Sequence, residues 1–69
     1  MLTTRDWLKR AAAAGEDSER VRCLAAAEAG VRHQADWVEI ARGHAARLSA
    51  AAGAAAEVRR CLARAIAEG

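Results

Sequence analysis

The stretches ERVRCLAAAEA, residues 19–29, and EVRRCLARAIA, residues 57–67, decide the fold. The second stretch repeats the Glu, Arg, Cys, Leu and alternating Ala of the first after 38 residues. An Asp-Trp pair also recurs, at residues 6–7 and 36–37, after 30 residues. Self-similarity with a period of roughly 20 to 50 residues is typical of helical-hairpin repeats. The chain is therefore predicted to contain two such hairpins.

Composition limits what these hairpins can build. The chain has 69 residues, of which 54% are hydrophobic, but 21 of those hydrophobic residues are alanine. Alanine favours helix strongly and buries little area per residue. Pro, Phe and Tyr do not occur, and no segment alternates polar and apolar residues over the length of a strand. These features predict one all-α domain, 1–69, with a small core and limited stability.

Capping residues and glycines predict four helices, arranged as two antiparallel hairpins. The first repeat is predicted to span about 3–31 and the second about 33–69. The first helix is expected to begin at Thr3 or Thr4 and to stop at Gly15, and the second to begin at Asp17 or Ser18 and to stop at Gly30. The third is expected to begin between Gln34 and Asp36, and the fourth to run from about Ala54 to Glu68. The hairpins are expected to form a right-handed stack or a four-helix bundle.

Helical spacing of apolar residues predicts which side chains face the core. The predicted inward positions are Val21 and Leu24 in the second helix, Trp37, Ile40, His44 and Leu48 in the third, and Val58, Cys61, Leu62 and Ile66 in the fourth. The residues that recur between the repeats are given packing roles: Trp7, Trp37, Leu24, Leu62, Cys23 and Cys61.

The two repeats differ in length at one place. The second repeat has eight extra residues, and all of them lie between Trp37 and Gly53. At 3.6 residues per turn, this insertion predicts either two added helical turns or one added turn with a longer loop through residues 48–52. The tip of the second hairpin is therefore expected to be elongated.

No pattern of catalytic residues is present. The sequence lacks a Ser, His and acid constellation, a phosphate-binding glycine loop and a convincing carboxylate pair. No close CxxC or HxxxH pair is formed by the two cysteines and two histidines, Cys23, Cys61, His33 and His44. Cys23 and Cys61 occupy equivalent positions of the two repeats, which are expected to lie farther apart than the Cα–Cα distance of about 7 Å that a disulfide allows. The prediction is therefore a protein that is not an enzyme and has no cofactor or metal, with metal or redox use of these four residues as an alternative.

Charge and hydropathy restrict the partners. The net charge is +2, and no apolar run is long enough for a signal peptide or a membrane span, which predicts a cytoplasmic protein with reduced cysteines. Nine acidic residues disfavour nucleic acid as a partner. A small nucleic-acid-binding helical protein stays as the alternative, and it would use two clusters: Arg20, Arg22 and Arg32, and Arg59, Arg60 and Arg64.

The pattern Asp-Trp-x-x-x-Ala at residues 6–11 and 36–41, followed by Arg-Cys-Leu-Ala-x-Ala, resembles the tetratricopeptide-like helical repeats found in bacteria. The resemblance covers nearly the whole chain as two units, although no Pro follows the second helix and the two periods are unequal. It implies a protein–protein interaction module, either an adaptor or scaffold or a self-associating homo-oligomer. The partner surface that it implies, on the first helix of each hairpin, carries Arg5, Lys9, Arg10, Glu39, Arg42, Gly43 and Arg47.

Overall fold

Four helices and no strand form the described part of the chain, residues 2–68 of a computed structural model. The helices are α1 (Thr4–Ala13), α2 (Asp17–Ala29), α3 (Gln34–Ala45) and α4 (Ala54–Glu68). This arrangement confirms the all-α prediction and the number of helices. The predicted limits of α2 and α4 agree with the structure within about one residue.

The start of α1 is fixed by a capping box. The hydroxyl oxygen of Thr3 accepts a hydrogen bond from the backbone N–H of Asp6 at 3.2 Å. The Asp6 carboxylate in turn accepts from the backbone N–H of Thr3 at 3.0 Å. These bonds satisfy two amides that the first turn leaves unpaired. Hydrogen bonds from the Thr3 backbone and hydroxyl, in that order, hold the pKa of Asp6 below its usual value.

The two hairpins are closed by equivalent hydrogen bonds. In the first, the hydroxyl of Thr4 donates to the carbonyl oxygen of Ala27 at 2.8 Å. In the second, the amide of Gln34 donates to the carbonyl oxygen of Ala65 at 2.8 Å. Each bond joins the start of one helix to the last turns of its partner. The repeat is therefore preserved in hydrogen bonding even where Thr is exchanged for Gln.

The helix α3 is the centre of the fold. It packs along α4 within its own hairpin and also packs on α1 and α2 of the first hairpin. Among residues 2–68, close backbone contact of α4 is confined to α3. The result is a flat slab with extents of 31 × 28 × 13 Å. It is open on the side of α4, because no described segment packs on the outside of that helix.

The core consists of small residues around a few larger ones. Leu24, Ile40 and Cys61 are fully buried, and Trp37 is 6% exposed. Cys23 is also buried, and Trp7 is partly buried against this cluster. Of the residues given packing roles, Leu24, Trp37, Cys23 and Cys61 are therefore buried, and Trp7 is partly buried. Both cysteines are free thiols.

The prediction that Leu62 and Ile66 face the core is wrong. Their exposures are 42% and 78%, because both side chains lie on the open side of α4. Two further residues of the expected apolar stripes are also exposed. Val21 is 36% exposed, and Leu48 is 51% exposed because α3 ends before it.

Most of the insertion in the second hairpin forms a loop. The segment between α3 and α4 covers residues 46–53, whereas residues 14–16 suffice between α1 and α2. Hydrogen-bonded turns follow α3 directly, as in the bonds from the N–H groups of Ala50 and Ala51 to the carbonyl of Arg47, both at 2.9 Å. Of the two predicted forms, the structure has the longer loop. Compared with the part of α1 that follows Trp7, the part of α3 that follows Trp37 is longer by less than one helical turn.

Candidate functional site

A groove runs along the seam between α1 and α3. It consists of two adjoining depressions of about 350 and 390 Å³. Leu8, Ala12 and Glu39 line both of them, which makes the groove continuous. Its further lining residues are Arg5, Lys9, Ala11, Arg20, Leu24, Ala35, Asp36, Arg42, Gly43 and Ala46.

The floor of the groove is apolar. Leu8 is half-buried, and Ala11 and Leu24 are buried beneath it. Leu8 is the one large apolar side chain of the lining that is partly accessible to solvent, since Leu24 is fully buried. A floor of this kind can receive apolar side chains of a ligand.

The rim of the groove is charged and mainly basic. Four cations lie along it, against the two carboxylates of Asp36 and Glu39: Arg5, Lys9, Arg20 and Arg42. Arg42 approaches Glu39 at 3.5 Å, but both side chains are at least half exposed, so this pair contributes little to stability. Within residues 2–68, Arg5 and Lys9 make no salt bridge.

Arg20 has a structural role at one end of the groove. Its Nε donates to the carbonyl oxygen of Ala11 and its Nη2 to that of Ala14, both at 3.2 Å. Ala11 lies in the last turn of α1 and Ala14 is its C-cap residue, where carbonyl groups lack the N–H partner four residues on that they have in the helix interior. Arg20 therefore caps α1 while its charge stays at the rim.

Five residues of the partner surface implied by the sequence line this groove: Arg5, Lys9, Glu39, Arg42 and Gly43. The remaining two do not. Arg10 lies over the ring of Trp7, 5.4 Å from its centroid, and borders a different depression next to Cys23. Arg47 is 7% exposed and turns into the protein, so its assignment to an exposed binding surface is wrong.

Gly43 has a packing role as well as a place in the groove. A Cβ atom on Gly43 would lie 2.6 Å from the Cδ2 atom of Leu24. Only a glycine therefore lets α3 approach α2 this closely without moving Leu24.

Arg47 ties the tip of the second hairpin to the start of α2. Its Nε and Nη2 donate to the two carboxylate oxygens of Asp17, at 2.7 and 3.1 Å. Its Nη1 donates to Nδ1 of His44 at 2.8 Å. The hydrogen bond from Arg47 holds the pKa of Asp17 below its usual value. The sequence did not reveal this pair, because its members are 30 residues apart.

A second ion pair joins α4 to α2. The guanidinium of Arg60 donates to both carboxylate oxygens of Glu28, at 2.7 and 2.8 Å, and to Glu57 at 2.6 Å. Arg60 thus bridges Glu57 on its own helix and Glu28 on α2. The two hairpins are thus joined by two bidentate arginine pairs, one through Arg47 and one through Arg60.

Glu28, His44 and Cys61 place possible metal ligands within 4.8 Å of one another. Their bonding does not suit a metal. Because Arg47 donates to Nδ1 of His44, the proton of the neutral ring sits on Nε2. Arg60 occupies both oxygens of Glu28. Burial raises the pKa of the Cys61 thiol, which keeps it protonated.

His44 gives the fold a pH dependence. Burial first, and Arg47 second, lower the pKa of His44, whereas the carboxylates of Glu57 and Glu28 oppose this shift and Arg60 reinforces it. The unfolded chain therefore takes up this proton at a higher pH than the folded protein does. Stability should be constant with pH above about 6.5, the ordinary pKa of histidine, and should fall as the pH drops below it.

Urea unfolding between about pH 7.5 and pH 5 measures this effect. The His44→Gln variant should show a smaller loss over that window, because it removes the titrating ring. An equal slope in wild type and His44→Gln would contradict the assignment. The lowered pKa values of Asp17 and Glu57 act in a separate window, near and below pH 4.

The arginine clusters proposed for nucleic acid are partly used within the fold. Arg20 caps α1 and Arg60 binds Glu28 and Glu57. Arg64 lies over the ring of Trp37, 5.1 Å from its centroid, and approaches Glu68 at 3.8 Å. These contacts leave fewer guanidinium groups for phosphate than the sequence suggests.

No protein-family model matches the chain, and the comparisons with curated proteins and with solved structures gave no significant match. None of the helices described in residues 2–68 has the length and apolar character needed to cross a membrane.

Proposed function

We propose that this chain is a non-catalytic protein–protein interaction module, an adaptor or scaffold, that holds a segment of a partner protein in the groove between α1 and α3. The observation that carries the proposal is the groove itself. It brings residues from both hairpins onto one continuous surface with an apolar floor and a charged rim.

The shape and chemistry of the groove favour a helical or extended peptide segment. Recognition of this kind places apolar anchors on a floor and polar groups at the rim. Leu8 and Ala12 lie where such anchors would sit, and they line both depressions. The rim has more cations than carboxylates, so an acidic segment is the partner that it complements best.

The same proposal includes a repeat family, a cellular compartment and self-association. The duplicated Asp-Trp and Arg-Cys-Leu-Ala segments support a relation to tetratricopeptide-like bacterial repeats. Two free cysteines support a reducing compartment, which we take to be the cytoplasm. Self-association is also part of the proposed function, and it would use another face of the slab.

A photo-crosslinking residue at Ala12 tests the groove in living cells. Ala12 is exposed and lines both depressions, whereas Ala25 is exposed on α2 and lines neither of them. Crosslinking at Ala12 should give one defined adduct, which mass spectrometry identifies, and crosslinking at Ala25 should not. Similar adducts at both positions would contradict a specific groove.

Charge reversal at the rim should weaken binding of the partner that the crosslink identifies. The double variant Arg5→Glu/Lys9→Glu is expected to lower its affinity at least about tenfold, since two attractive contacts become repulsive. The control Arg22→Glu changes an exposed cation of α2 outside the groove and should change the affinity less than about twofold. Calorimetric titration with the purified partner measures both.

An unchanged affinity in Arg5→Glu/Lys9→Glu would rule out the basic rim as the recognition element. Retention of duplex DNA that weakens steeply with salt, and that competes with the partner, would favour the nucleic-acid alternative instead.

A further inference from the structure

The outer face of α4 is apolar and uncovered. Leu62 and Ile66 are the large side chains on it, 42% and 78% exposed. At 100° per residue, Arg59 and Ala63 fall on the same side of the helix, opposite the buried Cys61. The hydrogen bonds and salt bridges of the described residues do not use Arg59 through its side chain. The outer face of α4 is thus a hydrophobic strip with one cation at its N-terminal end.

The internal repeat shows that such a face accepts a packed helix. Leu62 occupies the place in the second repeat that Leu24 occupies in the first. Leu24 is fully buried because α3 lies across it, with Gly43 against its methyl groups. Leu62 has the same position on its hairpin, but no helix follows it in the described chain. The fold therefore contains this helix face twice: it is covered by α3 around Leu24, and it is uncovered around Leu62.

We propose that a second copy of this chain covers the outer face of α4, through antiparallel packing of the two α4 helices about a twofold axis. The opposite end of the slab decides against head-to-tail stacking. The face of α1 that would cover Leu62 as α3 covers Leu24 carries Arg10 at the repeat position of the fully buried Ile40, and burying this cation against Leu62 and Ile66 would remove its hydration without a partner. A twofold contact instead pairs one apolar face with another.

Charge also favours the antiparallel direction. The carbonyl groups of the last turn of α4 have no helical N–H partners, which concentrates negative charge at its C-terminal end. Antiparallel packing brings Arg59 of each copy toward that end of the other helix. Parallel packing would bring the two negative ends together. Both directions can bury Leu62 and Ile66, so the charge at the helix ends decides for the antiparallel one.

The size of the face sets the expected strength. A helix of 15 residues is about 22 Å long. One helix–helix contact of that length buries less than the roughly 1,200 Å² of a stable interface. The dimer should therefore be weak and reversible, with a dissociation constant on the order of 100 μM. This contact specifies the self-association that the proposed function includes; it uses a different face from the groove, and neither contact requires the other.

Sedimentation equilibrium of the full chain, in reducing buffer from about 10 μM to 1 mM, tests the proposal. The wild-type protein should pass from monomer to dimer without larger species. Ile66→Glu and Leu62→Glu should each raise the dissociation constant at least about tenfold. Leu48→Glu is the matched control, because Leu48 is also exposed, at 51%, but lies in the loop after α3; it should dimerise as wild type does. Circular dichroism verifies that each variant stays helical.

A wild-type protein that is monomeric at 1 mM would overturn the proposal, as would dimers that Ile66→Glu leaves intact. Growth beyond dimers would show head-to-tail stacking instead of a closed pair. The groove variant Arg5→Glu/Lys9→Glu should dimerise normally. A result that contradicts partner binding in the groove can therefore be distinguished from one that contradicts the dimer.

Discussion

Leu24→Ala is expected to destabilise the protein by about 2–5 kcal/mol, the usual cost of a leucine-sized cavity in a core. Leu24 is fully buried between α2 and α3, and a slab this thin has little material that could collapse into the space. The fold as a whole should have a free energy of unfolding on the order of 3–10 kcal/mol at this chain length. The variant should therefore lose most of its stability, measured by urea unfolding followed by circular dichroism.

Leu62→Ala is the matched control for Leu24→Ala. It makes the same chemical change at the equivalent place of the second repeat, but its side chain is 42% exposed. Leu62→Ala should lower the free energy of unfolding by less than about 1 kcal/mol, because substitution of an exposed side chain leaves no cavity. The measurement is made at a concentration where the protein is monomeric. Equal costs at the two positions would mean that the description of the open side is incorrect.

The neighbour of Leu24 allows a sharper form of this test. Gly43→Ala alone should destabilise, because its Cβ atom would lie 2.6 Å from Cδ2 of Leu24 and that buried side chain has little room to move. In the Leu24→Ala background, the same Cβ atom would enter the cavity and should stabilise. The effect of Gly43→Ala is thus expected to change sign, and a double-mutant cycle measures this coupling.

Arg47→Met should produce the second large loss of stability. It keeps the apolar stem of the side chain but removes the guanidinium that binds Asp17 and Nδ1 of His44. Nδ1 of the buried His44 ring would then have no donor, and unpaired buried polar groups are costly. We expect the urea midpoint to fall several times further than in Arg42→Met, which removes an exposed pair.

Nuclear magnetic resonance can separate the two contacts of Arg47. In Asp17→Asn the bond to His44 should persist, so the ring should keep its proton on Nε2, and stability should fall less than in Arg47→Met. In Arg47→Met the ring should lose this preference. A ¹⁵N spectrum of the imidazole at neutral pH distinguishes these states. A ring with the same tautomer in wild type and Arg47→Met would show that Arg47 does not control it.

The helices and most of the core could be predicted from the sequence because local signals specify them. Asp6 and Thr3 form a cap within one turn, and Leu24, Ile40 and Cys61 follow helical spacing. The repeat itself predicts that the chain folds back twice. Only the neighbourhood of each residue in the chain is needed for these conclusions.

The errors concern contacts that depend on how whole hairpins meet. Leu62 and Ile66 have the spacing of core residues, but their burial requires a covering helix that the described chain does not supply. Arg47 looks like any exposed arginine until Asp17 is brought to it from the other hairpin. Five residues of the partner surface implied by the sequence line the groove, but the sequence did not assign Leu8 and Arg20 to that surface.

The central position of α3 has a consequence for the exchange of backbone amide hydrogens with solvent. Because α3 packs on all three other helices, its amides can open only when both hairpins separate. In contrast, α1 packs on α2 and α3, and α4 packs on α3 alone, so the ends of these two helices can fray without separation of the hairpins. Deuterium should therefore enter α3 last, at a rate set by global unfolding, while α1 and α4 exchange through local opening.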